Sequence, residues 1–403
     1  MEHSESEPDK ELIARSRDLL ARTFGGPVEL GEAEVLREQY RNYVLRCAVQ
    51  EAPPGAPASV VIKASVGEEE SAYDPDNDTS DSTAWRFYNE WAGNQFLDAC
   101  GGDPPHNARL LCGDRAHGFF ILEDLGNGEC LADIVRGDDP QKAATAFLNY
   151  ATALGRMHAA TVGQEAAWRR TRLQIGGKEE TRQSEGGKWL PESVESFRTQ
   201  CAELDVPIAS GFDEEIAAIR QTLENPGPFY VFSPNDTCPD NHRIMPDGSL
   251  RFFDFEWAGY RHALLDAAYF HLPFPTCWCV NRLPEGMPER MEQVYRTALS
   301  AGCPEAQEDA LFTTAMSHIC GFWTLGTLGM NLAQAREEDS KWGLSTVRQR
   351  HLLRLETFTK TVGRFGHLPA MSASATALAA KLRELWPEVQ DMPVYPAFRT
   401  DNA

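Results

Sequence analysis

The segment Phe229-Tyr230-Val231-Phe232-Ser233-Pro234-Asn235-Asp236-Thr237-Cys238-Pro239-Asp240-Asn241 is followed by a turn at Pro246–Gly248 and then by Leu250-Arg251-Phe252-Phe253-Asp254-Phe255-Glu256; these stretches decide how the 403-residue chain is read. Two runs of strand composition, Phe229–Phe232 and Leu250–Phe255, bracket a polar loop. Strand ends hold carboxylates rigidly, and the loop collects Asp236, Asp240 and Asn241 between them. Asp254 stands among Phe252, Phe253 and Phe255, where a buried carboxylate is costly unless a metal or a donor satisfies it.

Upstream, the periodicity predicts a helix over Glu11–Phe24, stopped by Gly25, Gly26 and Pro27. Strands are expected at Val28–Val35, Tyr43–Val49, Ser59–Ala64, Arg109–Cys112 and Gly118–Leu122, with one helix, Thr83–Ala99, inserted among them. Residues 68–81 are acidic and read as a surface loop. Downstream, Gln141–Thr161, Glu192–Leu204, Asp213–Leu223 and several segments beyond Pro288 have helical spacing. Arg169–Trp189, with Gly-Gly-Lys at 176–178 and again at 186–188, reads as a polar loop. The expectation is an α+β chain with a two-lobed, protein-kinase-like fold. Residues 1–125 form a small mixed lobe with an antiparallel sheet, and residues 126–403 form a large, mostly helical lobe.

Phosphoryl transfer requires few protein parts: a carboxylate to orient and deprotonate the acceptor hydroxyl, oxygen ligands for Mg²⁺, and a cation on the upstream phosphates. Asp236 suits the first role, Asn241 and Asp254 the second, and Lys63, closing Val60-Val61-Ile62, the third. Glu90, on the Thr83–Ala99 helix, is the expected ion-pair partner of Lys63. Each residue has a plainer reading: Asp236 as a turn residue, Lys63 as an edge-strand lysine, Glu90 as a solvated helix position. Their joint occurrence in this order separates the readings, because each short motif alone is weak.

Asn235–Asn241 followed by Asp254-Phe255-Glu256 resembles the signature of the aminoglycoside phosphotransferase and choline kinase superfamily. Further points of resemblance are Leu154–Ala160, Asp266 twelve residues after Asp254, Ile121–Gly126, and Arg41-Asn42-Tyr43-Val44. The resemblance implies ATP and Mg²⁺ as cofactors and a small-molecule acceptor. It implies adenine contacts with the backbone at Glu123 and Leu125, and it implies Asn42 near the phosphates. It also implies a structural role for Asp266. The chain departs from the family pattern at Pro234, where a bracing histidine is usual, and at His262, where an aspartate is common. Pro234 motivates an alternative: a catalytically impaired pseudokinase serving as a nucleotide- or protein-binding module.

The formal net charge of -22 disfavours nucleic acid and anionic membranes as partners and favours cationic acceptors. Ala310–Ala335 lacks charged residues, yet its five Thr or Ser and three Gly favour a buried helix over a membrane span. The ten cysteines form no C-x-x-C pair, and Met1–Lys10 has no apolar run. Together these predict reduced, buried thiols in a cytoplasmic protein.

Overall fold

The computed structural model describes residues 7–39, 41–67, 73–178, 186–187 and 189–399. Part of the acidic segment (68–72) and Lys188 of the second Gly-Gly-Lys therefore lie outside the described residues. In chain order the elements begin with α1 (Glu7–Phe24), β1 (Glu29–Gln39), β2 (Asn42–Glu51), β3 (Ser59–Ser65), α2 (Thr83–Cys100), β4 (Leu110–Asp114) and β5 (Phe119–Glu123). They continue with α3 (Leu131–Val135), α4 (Pro140–Thr161), α5 (Glu165–Gln174), α6 (Trp189–Glu203), α7 (Phe212–Glu224), β6 (Tyr230–Ser233), β7 (His242–Ile244), β8 (Leu250–Phe252) and β9 (Gly259–His262). The last are α8 (Leu264–Ala267), α9 (Met287–Leu299), α10 (Asp309–Glu337), α11 (Val347–Phe365) and α12 (Pro369–Leu385). The chain is α+β and forms two compact units. One comprises Met1–Gly128, Gln164–Thr181 and Arg251–Gly259; the other comprises Glu129–Gly163, Arg182–Leu250 and Tyr260–Ala403.

The first unit is built on an antiparallel sheet of order β1-β2-β3-β5-β4. Alternation along each strand sends successive side chains to opposite faces. Val60 and Ile62 of β3 join Leu45, Cys47, Phe119 and Ile121 in a core closed by Leu20 of α1. The opposite face packs Phe120 and Leu122 against Ala84, Phe87 and Tyr88 of α2. Lys63 belongs to that face by parity, and β3 lies between β2 and β5, so Lys63 is not an edge-strand residue. Helix α2 starts at Ser82, whose side chain accepts the Trp85 N–H at 3.1 Å, and stops at Gly101, whose φ of 70° suits glycine.

Two departures from the sequence reading fall in this unit. The segment expected as a loop from Arg169 onward begins with α5, which buries Trp168 and Arg172. Its other positions are charged or polar apart from Ala166, Ala167 and an exposed Leu173, so no apolar stripe marks it. The bidentate pairing of buried Arg172 with Asp78, at 2.6 and 2.9 Å, replaces apolar packing there. The strand expected over Leu250–Phe255 ends at Phe252, because Asp254 takes a left-handed backbone with φ 71°.

The second unit is mostly helical. Helices α4 and α9 approach closely at Gly155, where a Cβ would stand 2.7 Å from the Tyr295 carbonyl oxygen. The uncharged stretch Ala310–Ala335 lies within α10, which buries Phe312, Ile319, Leu325 and Leu332. Among the described residues no helix is long and apolar enough to cross a membrane.

Burial holds His242, His262 and His351 neutral, with pKa values pushed down to about 3. Unfolded histidines titrate near 6.5, so below that pH the unfolded chain gains protons that the folded chain refuses. Stability should be full above about pH 6.5 and fall toward pH 3, by ~1.4 kcal/mol per pH unit for each such histidine. Urea unfolding at pH 7 and pH 5.5 measures this slope, and His351→Gln should flatten it; a pH-independent midpoint would contradict the assignment.

Candidate active site

In the first unit the sheet and α2 bring Lys63, Glu90 and Asp254 together. The Lys63 Nζ donates to Glu90 Oε1 at 2.6 Å and to Asp254 Oδ1 at 2.9 Å. All three residues are buried. Burial opposes charge on Lys63, but Asp254 and Glu90 outweigh it and raise its pKa. Burial likewise opposes charge on Asp254, and Lys63 reverses this so that its carboxyl is held below the ordinary value. Glu90 is pushed up to about 8 by burial, with Lys63 pulling against the shift. The ammonium is thus charged, Asp254 is its ionised partner, and burial shifts Glu90 toward its protonated form while Lys63 resists the shift.

The surroundings of this triad were not marked by any short motif. Arg37 Nη1 lies 3.8 Å from Asp254 Oδ2, a contact that arises because β1 runs on to Gln39 instead of ending at Val35. Asn89 donates to the Glu256 carbonyl at 3.3 Å and accepts from Arg172 Nε at 3.0 Å. Arg86 Nε approaches Glu256 Oε2 at 3.9 Å. The i, i+4 spacing of Arg86 and Glu90 on one helix face is the available sequence signal; the Asp78–Arg172 pair, 94 residues apart, leaves none.

The remaining first-unit candidates occupy strand ends. Asn42 opens β2 opposite Ser65 of β3 and is half-buried. Glu123 closes β5, and its N–H is committed to the Arg109 carbonyl at 2.9 Å. Its carboxylate accepts the Arg109 N–H at 2.8 Å. Leu125 packs partly buried against the Phe87 and Phe120 cluster.

In the second unit β6 delivers the chain into the loop that carries Asp236 and Asn241. Asn235 takes φ 62°, a left-handed turn that asparagine tolerates, and its N–H donates to Ser233 Oγ at 3.1 Å. Asn241 Nδ2 donates to the Asp236 carbonyl at 3.0 Å, which fixes the amide plane and leaves its Oδ1 as an acceptor oxygen. Asp236 itself is half-buried.

The loop that follows Pro234 is braced by contacts from three other segments. Tyr150 donates its hydroxyl to the Thr237 carbonyl at 2.5 Å, and the Ala132 N–H donates to the Pro239 carbonyl at 3.0 Å. Trp278 Nε1 donates to Asp240 Oδ2 at 2.8 Å. His158 has no place at the loop: its ring lies buried between Asp266 Oδ2 (3.1 Å) and the Tyr295 hydroxyl (2.8 Å).

Cys238 and Cys277 form a disulfide, with Cα atoms 5.7 Å apart and a sequence separation of 39. This corrects the expectation that all ten cysteines are thiols; the other eight are. No spacing rule marks such a pair, because it is made by folding a distant segment against the loop. An oxygen of Asp236 lies within 4.8 Å of both sulfurs. The disulfide form has no thiolate, so those sulfurs are not metal ligands.

Profiles of known protein families and curated protein sequences give no match to this chain. Among solved structures, a choline/ethanolamine kinase family protein from Mesorhizobium loti is similar at 14% identity, with 92% of this chain and 99% of that chain covered and a TM-score of 0.42. The choline kinase LicA from Streptococcus pneumoniae is similar at 14% identity, covering 88% of this chain and all of that one (100%), with a TM-score of 0.41. An aminoglycoside phosphotransferase from Alicyclobacillus acidocaldarius is similar at 11% identity, covering 89% and 93% of the two chains, with a TM-score of 0.44.

Two stability outcomes test this geometry. Lys63→Met leaves Asp254 and Glu90 buried without their cation and should cost about 3–5 kcal/mol by urea unfolding, whereas Glu90→Gln, close to the protonated state, should cost far less. Equal losses for both variants would contradict the charge assignment. Opening the 39-residue disulfide loop with Cys238→Ser should cost ~4 kcal/mol on the chain-entropy estimate, read by the same measurement in oxidised protein.

Proposed function

We propose that the chain is an ATP-dependent small-molecule kinase that moves the γ-phosphoryl group to an acceptor hydroxyl. The observation that carries the reading is the buried Lys63 ammonium, 2.6 Å from Glu90 and 2.9 Å from Asp254. A purely structural core has no use for a cation and two carboxylates in this position, since apolar residues of similar volume are as stable or more so. A site for a metal–triphosphate complex does: the cation meets phosphate oxygens, and the carboxylate meets the metal.

The residues fit Mg²⁺ on chemistry. Asp254 and Asn241 offer hard oxygens, and one Asn241 amide hydrogen is already spent on the Asp236 carbonyl, which orients the remaining oxygen. Held by such oxygens, Mg²⁺ would neutralise charge on the β- and γ-phosphates. On this reading Lys63 binds the upstream phosphates and Glu90 orients it. Asn42 stands near the phosphates at the start of β2. The adenine edge meets the backbone at Glu123–Leu125; with the Glu123 N–H spent on Arg109, the amides left for it are those of Asp124 and Leu125. Asp236 accepts the proton of the acceptor hydroxyl.

The second reading, a pseudokinase module, had its motive in Pro234. The contacts around Thr237, Pro239 and Asp240 weaken that motive, because they brace the loop without the histidine.

Asp236→Ala should lower turnover by roughly 10²–10⁴-fold while ATP still binds. ADP release measured over an acceptor panel, together with calorimetric titration of Mg-ATP, separates the readings. Near-normal turnover in the variant removes Asp236 from the chemistry, and absence of Mg-ATP binding to the native protein favours the module.

A further inference from the structure

Helix α11 turns Arg350 and Arg354, one helical turn apart, into the interior of the second unit. They are 3% and 7% exposed. A buried cation ordinarily sits against a carboxylate. In a chain with 60 acidic residues, neither arginine has one within ion-pair distance among the described residues. Burial pulls their pKa values down, to about 10 for Arg350 and about 9 for Arg354.

The two are not equivalent. Arg350 is consumed by backbone: it donates to the carbonyls of Cys277 (2.6 Å), Trp278 (2.9 Å) and Trp342 (2.7 Å), and its guanidinium lies 4.2 Å from the Trp342 ring centre. That is a structural arginine. Arg354 spends one nitrogen, Nη2, on the Pro275 carbonyl at 2.7 Å. Among the described residues its Nε and Nη1 have no acceptor, and unlike the Nε of Arg350 they are not sealed from open space.

The position of this half-used guanidinium follows from short contacts. Pro275 precedes Thr276, whose Oγ1 is 2.7 Å from the Tyr269 hydroxyl, and Cys277, which is bonded to Cys238. An Asp236 oxygen lies within 4.8 Å of both sulfurs. Two Cα steps, at most about 7 Å, separate the residue that Arg354 holds from the one beside Asp236. The Tyr269 phenol senses both charges: burial and then Asp236 push its pKa up, and Arg354 pulls it down.

We propose that Arg354 recognises a carboxylate on the acceptor whose hydroxyl is presented to Asp236, so that the acceptor is a small hydroxycarboxylate and not the cationic amino alcohol suggested by the chain's net charge. The inference rests on the kinase reading. The acceptor oxygen forms a bond to the γ-phosphorus, the bond from that phosphorus to the β,γ-bridging oxygen breaks, and ADP leaves with the electron pair. The hydroxyl proton passes to Asp236. A planar guanidinium with unspent N–H donors is the side chain suited to a carboxylate, and the pairing supplies the counter-charge that the fold withholds.

The test compares native protein, Arg354→Gln and Arg354→Lys. Hydroxycarboxylates of two to six carbons, including glycerate and L-serine, are set against glycerol, ethanolamine and choline. ADP release gives kcat and KM, and calorimetry without nucleotide gives acceptor affinity. The expected result is a preferred hydroxycarboxylate whose KM rises about 10- to 100-fold in Arg354→Gln, less in Arg354→Lys, with KM for ATP unchanged. The unchanged ATP value shows that the variants fold. A KM for glycerol or an amino alcohol that is as low as for any hydroxycarboxylate, and indifferent to Arg354, overturns the proposal and leaves the kinase reading intact. Failure of every hydroxycarboxylate to bind also overturns it. Absence of ADP release with all acceptors, combined with Arg354-dependent binding of a hydroxycarboxylate, keeps the recognition site and removes the kinase reading.

Discussion

A buried ammonium between two carboxylates sets the terms for the first unit. Lys63 reaches this position because β3 is an inner strand and because alternation turns position 63 toward α2. Glu90 faces it because α2 starts at Ser82 and keeps its register from there. Asp254 completes the group only because the chain leaves β8 at Phe252 and bends through a left-handed residue. Shifting any one of these elements by a residue would strand a charge in an apolar layer, at a cost of several kcal/mol. The geometry is therefore held by the same penalty that makes buried ions rare.

The second unit solves a different problem, holding a polar loop without regular structure. Its devices are a tyrosine on the Thr237 carbonyl, the Ala132 amide on the Pro239 carbonyl, an indole on the Asp240 carboxylate and a disulfide at Cys238. Loops are ordered at the expense of conformational entropy, about 1–2 kcal/mol per residue for the backbone. Several anchors of moderate strength meet that cost, and no single histidine is required. Buried arginines work the same way at longer range: Arg172 ties α5 to Asp78, and Arg350 gathers three carbonyls.

Much of the architecture was legible from periodicity. The five sheet strands, the helix bearing Glu90 and the helix over Gln141–Thr161 were expected within a few residues of their observed limits, because apolar alternation and capping residues report local structure directly. Helix α5 was not, since its inward residues are a tryptophan and a paired arginine. The disulfide was missed for a similar reason: two cysteines in a scattered set carry no mark of pairing.

Residue type and local order alone mark the candidates for chemistry: Asp236 and Asn241 in one loop, Asp254 among phenylalanines, Lys63 at the end of an apolar strand, and Glu90 on the following helix. Those are properties of residue type and local order, which spacing records. Tertiary structure alone decided the charge state and the partners. It buried Lys63 with both carboxylates, brought Arg37 to Asp254, closed Cys238 onto Cys277 and left Arg354 without an anion. Burial and distance set electrostatic energies, and neither is written in the order of residues along a chain.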